Sequence, residues 1–168
     1  MTTTVQIATR APLAFLFTLL VFSTVAEAAP VTFVASNGKD SNPCSRPAPC
    51  RTLQRAHNVT TAGGELQILD SGSYRAILRI SKSITVSGVG SNATAGRITI
   101  ENGNAVVTLR RLLLNGAGLG GHGVQISAAK AVHIEDCEIE RFPGAGIRLN
   151  DDAELFVSDT VSRDNGGS

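Results

Sequence analysis

An acidic stretch near the C-terminal third is the first candidate for chemistry. Asp136 and Asp159 lie 23 residues apart, with Glu135, Glu138 and Glu140 around the first of them. If the aspartates stack, their oxygens suit Ca²⁺, a hard cation that takes oxygen ligands, and Arg141, Arg148 and Arg163 are within reach by sequence. Against this, two stacked carboxylates without a cation repel, and a stacked Asp at a turn commonly serves exposed backbone N–H groups instead. Turn structure is therefore the expectation, with Asp136, Asp159 and Glu138 as the only metal-ligand candidates and no cofactor other than Ca²⁺.

A second candidate is Gly121-His-Gly123, with Asp151-Asp152 downstream as paired carboxylates. The same pattern returns as Gly144-Ala-Gly146 without the histidine, so the glycines read as turn residues that need unusual φ. Cys44 and Cys50 are six apart in a loop with three prolines. Zinc would need about four ligands, which nothing nearby supplies; a local disulfide in an oxidising compartment is the expectation. Cys137 is left over and reads as a small inward hydrophobe rather than a nucleophile. His57, on a helix, and His133, between inward Val132 and Ile134, read as surface histidines.

These residues must be carried by a repeat. Gly121-His-Gly-Val-Gln-Ile126 returns as Gly144-Ala-Gly-Ile-Arg-Leu149, and Val132-His-Ile-Glu-Asp136 as Leu155-Phe-Val-Ser-Asp159, both at an offset of 23. A unit this short cannot bury its apolar face alone and must stack on its neighbours. Pairs such as Leu66 and Ile68, Ile84 and Val86, Ile98 and Ile100, and Val107 and Leu109 keep the period of two that strands require. Stacking places Val124 over Ile147, Ile126 over Leu149 and Val132 over Leu155. Val31–Ala35 reads as a leader strand. Leu53, Ala56 and Val59 mark the one helix, over residues 51–59, ended by Thr60-Thr-Ala-Gly-Gly64.

Pro49-Cys-Arg-Thr-Leu-Gln-Arg-Ala56, Gly63-Gly-Glu-Leu-Gln-Ile68, Gly72-Ser-Tyr74 and Ser83-Ile-Thr-Val-Ser-Gly88 together resemble the entry segment of right-handed parallel β-helix proteins of the pectin-lyase-like superfamily. Phe33-Val-Ala-Ser-Asn-Gly-Lys-Asp-Ser-Asn-Pro43 is similar to the leader strand and turn of that group. The resemblance implies an all-β, right-handed parallel β-helix with a short N-terminal capping α-helix. Within that superfamily, Gly121-His-Gly123 is similar to a polygalacturonase motif, although there the paired carboxylates precede the histidine. Pectate lyases hold Ca²⁺ on carboxylates and use an arginine to take the proton beside the sugar carboxylate.

Residues 1–29 read as a secretion signal: Arg10, an apolar run over Leu13–Val25, and Ala26-Glu-Ala28 as a cleavage site. The run is short of the ~20 residues that a spanning helix needs, so a secreted protein, extracellular or periplasmic, without a membrane anchor is expected. Residues 30–64 then hold the leader strand, disulfide loop and capping helix, and residues 65–168 the coils. Without Arg10 and Glu27, 14 basic residues face 13 acidic ones, a balance with no field for nucleic acid or an anionic membrane. Asp164-Asn-Gly-Gly-Ser168 stops where another coil would begin. Missing coils, or self-association through an open C-terminal edge, are expected there. Asn58-Val-Thr60 and Asn92-Ala-Thr94 fit the glycosylation sequon. No catalytic constellation stands out. The expected function is contact with an extended polymer, a polysaccharide, or with a partner chain; the alternative is a fragment of a polysaccharide lyase or glycoside hydrolase acting on pectin-like polymers. Phe33, Tyr74, Phe142 and Phe156 are the only aromatics after the leader, so stacking platforms for sugar are scarce.

Overall fold

The computed structural model describes residues 29–90, 93–150 and 152–167; the expected secretion signal lies outside them, apart from Ala29. The chain winds as a parallel β-solenoid with three faces. Sheet A holds, in spatial order, β1 (Ala29–Val34), β2 (Thr60–Ile68), β5 (Ile84–Gly88), β8 (Val106–Arg110), β11 (Ala131–Glu135) and β14 (Glu154–Ser158). Sheet B runs from β3 (Ser73–Tyr74) through β6 (Thr94–Ala95), β9 (Leu113–Asn115) and β12 (Glu138–Glu140) to β15 (Val161–Arg163). Sheet C contains β4 (Leu78–Ile80), β7 (Ile98–Glu101), β10 (Val124–Ala128) and β13 (Ile147–Leu149). Every pairing between these strands is parallel, as a coil that always advances the same way requires.

The period-two residues become columns along the axis. Leu66, Val86, Leu109, Ile134 and Val157 stack in sheet A, and Ile80, Ile100, Ile126 and Leu149 in sheet C. The expected pairs Val124/Ile147, Ile126/Leu149 and Val132/Leu155 are all in register. Neighbouring rungs lie about 4.8 Å apart, so a branched aliphatic on one rung packs directly on the next. All members of both columns are fully buried except those of the last coil, Val157 at 48% and Leu149 at 43% exposure.

The N-terminal end is closed by α1 (Leu53–Val59), two residues shorter than expected at its start. Thr52 is extended and caps it: its hydroxyl accepts from Arg55 N–H, while the Asp40 carboxylate accepts from the N–H of Arg51 and of Thr52. The helix is not ended by a glycine turn. Thr60 is extended at ψ 140°, and β2 leaves straight from it, five residues before the expected strand start. Gly63 lies inside that strand at φ +78°, where its N–H reaches Ser83 C=O at 2.7 Å. The Cys44–Cys50 disulfide is present, and its loop holds the leader: Phe33 N–H donates to Cys44 C=O and Phe33 C=O accepts from Cys50 N–H.

His57 differs from the sequence expectation. It is 3% exposed, turned under α1 toward β4, because Leu53, Ala56 and His57 share the face that meets the first coil. His133 does face outward, stacked on the Phe156 ring of the next rung at 4.7 Å.

Candidate functional site

The acidic strip resolves into a turn and an ion pair. Arg111, Asp136 and Asp159 follow register-matched residues of sheet A and occupy one corner position, with φ of 53°, 51° and 47°. That left-handed residue redirects the chain from sheet A to sheet B within a very short corner, and Asp tolerates it better than most side chains. Their N–H groups stay in the ladder, Arg111 to Glu135 C=O and Asp136 to Ser158 C=O, both at 3.1 Å. Glu138, on the outer face of β12, is held by Arg163 of β15, which also meets Glu140 Oε2 at 2.8 Å. Asn115 donates to the other Glu140 oxygen at 2.8 Å, so this carboxylate is buried inside a ladder of three rungs. Asp136 and Asp159 are exposed, beside a Glu138 carboxylate already paired with arginine. Among the described residues no group of three or more His, Cys, Asp or Glu is arranged to hold a metal ion.

A groove of about 640 Å³ runs past this corner between Val89, Leu113, Asp136, Glu138 and Val161. Cys137 lies in its wall but is buried, with its thiol near the carbonyls of Glu135 and Leu109. Burial pushes the thiol pKa up, which leaves less of the reactive thiolate.

The opposite flank, where sheet B turns into sheet C, is basic. His122 sits in that corner on the third coil. Its Nδ1 accepts from the Ala145 N–H of the next coil at 2.9 Å, and its ring lies so close over Gly144 that a Cβ there would come within 2.6 Å. A neutral ring that accepts at Nδ1 carries its proton on Nε2. That Nε2 points at Arg148 Nη1, 3.5 Å away. Two donors therefore face one another, and no described residue is shown accepting from both. Arg148 is steadied from behind, its Nε donating to Asn150 Oδ1 at 2.8 Å. With Ala145, Ile147 and Gly167 these groups line a cavity of about 420 Å³.

Arg148 also ends the column of sheet C that faces away from the core, which runs Arg79, Thr99, Gln125, Arg148, with Thr99 covered by its neighbours to 6% exposure. Beside it, Arg97 Nη1 donates to Gly120 C=O at 3.1 Å and lies 2.5 Å from where a Gly121 Cβ would sit. Arg75 reaches over Gly118 in the same corner. Of these, Arg79 is paired with Glu101 at 2.6 Å, whereas Arg75, Arg97 and Arg148 form no ion pair with a described residue. A near-neutral total thus conceals a one-sided flank.

The three arginines grouped by sequence separate in space. Arg163 joins the acidic strip as a counter-ion, Arg141 lies 3.8 Å from Glu140, and Arg148 belongs to the other flank. The glycine expectation also changes. Gly121 needs its φ of +83°, but Gly123 and Gly146 are glycine because the following coil is too close, a Cβ on Gly146 falling 2.3 Å from Ser162 Oγ, and Gly144 because His122 of the preceding coil lies against it. Asp151 lies outside the described residues, as does Asn92, while Asn58 is exposed. Phe142 and Tyr74, counted above as stacking platforms, are buried at 1% and 3% exposure.

Compared with known proteins, the chain matches no family model, no curated protein and no solved structure. The solenoid rests on its own geometry. No helix among the described residues is long and apolar enough to cross a membrane.

Proposed function

We propose that this is an exported β-helix protein that binds an extended acidic polysaccharide along the outer face of sheet C and its corner with sheet B. The observation that carries the reading is the pair of converging donors, His122 Nε2 and Arg148 Nη1, 3.5 Å apart at the mouth of a cavity. A carboxylate oxygen placed there would accept from both, as a charge-assisted bond favours. Three rungs separate Arg79 from Arg148, about 14 Å at the usual strand spacing, so one extended polymer can meet several rungs. The resemblance to the pectin-lyase-like superfamily agrees with an acidic sugar polymer, and the Cys44–Cys50 disulfide is compatible with an oxidising compartment.

The alternative is a piece of a polysaccharide lyase or hydrolase. Its support is the Gly121-His-Gly123 motif; against it, His122 Nδ1 is committed to a backbone N–H. Affinity electrophoresis of the full chain in gels containing polygalacturonate, or a neutral glucan, tests the binding reading. Retardation by the acidic polymer alone is expected, weakened by salt and at least about tenfold weaker when Arg148→Gln and His122→Gln are combined, roughly the loss for one desolvated charge-assisted contact. Equal retardation by the neutral polymer, or none by either, would overturn it. Release of unsaturated oligomers or new reducing ends would favour the alternative.

A further inference from the structure

Helix α1 closes the free edge of sheet C with side chains instead of a strand. β4 is the terminal strand of that sheet and pairs with β7 on one side only. On the other side the Gln54 amide serves Arg79 twice: Oε1 accepts from its N–H at 2.9 Å and Nε2 donates to its C=O at 3.3 Å. Further along the helix, His57 Nε2 accepts from Ser81 N–H at 3.4 Å. That contact assigns the ring. Nε2 is bare, and the proton sits on Nδ1, facing Asn58 Oδ1 at 3.3 Å.

Among the described residues, none bonded to the ring is an anion. From the turn after β4, Lys82 Nζ donates to Thr60 C=O at 2.6 Å. From β4 itself, the Arg79 guanidinium is engaged by Glu101. On α1, Arg55 is half-buried, and Asp40 is committed to Arg51 and Thr52 at the start of the helix. The polar groups that touch the imidazole are Gln54, Asn58 and Ser81, all neutral.

We propose that His57 is a proton-operated latch: protonation of Nε2 breaks the Ser81 contact, releases α1 from β4 and opens the strand edge at Arg79 and Ser81. An imidazolium has two N–H donors and no acceptor, so Nε2–H would meet Ser81 N–H donor to donor. The new charge would also be buried beside the Lys82 ammonium, with no counter-ion to offset its desolvation. Burial draws the pKa of His57 below its ordinary value; the Asn58 bond opposes this and Lys82 adds to it. A base whose folded pKa is depressed binds its proton more readily in the open state. The latch is thus intact above about pH 6.5 and weakens as pH falls below that value. The opened edge presents unpaired N–H and C=O groups, a template for another strand.

Residue-resolved hydrogen exchange on the full chain, between about pH 7.5 and about pH 5 and corrected for intrinsic rates, tests this together with an NMR titration of His57. One linked proton can raise the opening equilibrium by at most about tenfold per pH unit. The Arg79 and Ser81 amides should lose protection on that scale while those of Leu109 and Ile134 keep theirs, and the His57 ring should titrate below the ordinary histidine range. His57→Gln, whose amide oxygen can still accept from Ser81, should lose the acid response. Unchanged protection at Ser81, a His57 ring titrating in the ordinary range, or an equal acid response in His57→Gln would each overturn the proposal. Should His57→Gln fail to fold, the titration and exchange of the unaltered chain decide it.

Discussion

Asp70 shows how much one half-buried carboxylate can organise. Its oxygens accept from Ser36 N–H, Ser36 Oγ, Gly72 N–H and the Tyr74 hydroxyl, tying the end of the leader strand to the start of sheet B. Burial pushes its pKa up, but the bonds from Tyr74, Ser36 and Gly72 prevail and bring it down to about 2, from an ordinary 3.8. A carboxylate with a depressed folded pKa stabilises above its unfolded value and loses that contribution as pH falls through the folded one. Thermal melts of Asp70→Asn should therefore lie below the unaltered protein at neutral pH, and the two should converge between pH 3.8 and about 2. A gap that persists at pH 2 would mean that shape, not charge, holds this junction. His57 and Asp70 lie at the same end of the solenoid and respond to acid in different windows, so the two effects can be separated.

At the scale of elements, the leader depends on a covalent tie. β1 lies at the end of sheet A and pairs only with β2. On its other side Phe33 bonds through N–H and C=O to the loop that Cys44 and Cys50 close, and just beyond the strand Ala35 N–H donates to Cys50 C=O at 3.0 Å. A disulfide closing so short a loop is worth about 2 kcal/mol on the chain-entropy account. Reduction, or Cys44→Ser with Cys50→Ser, should lower the Tm and expose residues 45–48 to proteolysis, while the circular dichroism of the coils is retained. Loss of all β signal on reduction would show that the cap is not a separable unit. α1 follows similar logic: with only seven residues it is too short to be stable by itself, and it stands on Thr52, Asp40 and the apolar contact of Leu53 and Ala56 with the core.

At the scale of the whole molecule, stability is a sum of rung contacts, so the same substitution has different effects along one column. Ile134 and Val157 are neighbours in register, yet Ile134 has rungs on both sides and no exposure, whereas Val157 is half exposed. Ile134→Asp should leave the protein insoluble or unfolded, because an unpaired charge would enter a dry stack. Val157→Asp should fold with a modestly lowered Tm, since its carboxylate can reach water. Comparison of soluble yield and melting for the two variants checks this; equal tolerance would refute the stacking register. The charge distribution also belongs to this scale. Winding gathers Arg75, Arg97 and Arg148 on one flank and leaves Asp136 and Asp159 at another corner, although the total is nearly balanced.

The 23-residue offset and the period of two were enough to specify a stacked coil and its inward columns, because a short alternating unit has few ways to hide one face. The disulfide was legible for the same local reason, two cysteines in a stiff loop. The sites were not legible in this way. Whether a residue between inward neighbours meets solvent, an ion pair or the cap depends on which coil lies over it, and sequence separation does not carry that. Nothing in the sequence around His57 carries the packing of α1 against β4 that buries it, and nothing around Phe142 carries its place beneath Gly116 and Gly123. Arg148 looked like a partner of the acidic strip, but a solenoid with three faces sends residues only a few positions apart to different sides. Sequence alone determined the repeat and the core; tertiary structure decided which charges meet, because that depends on contacts between coils some two dozen residues apart.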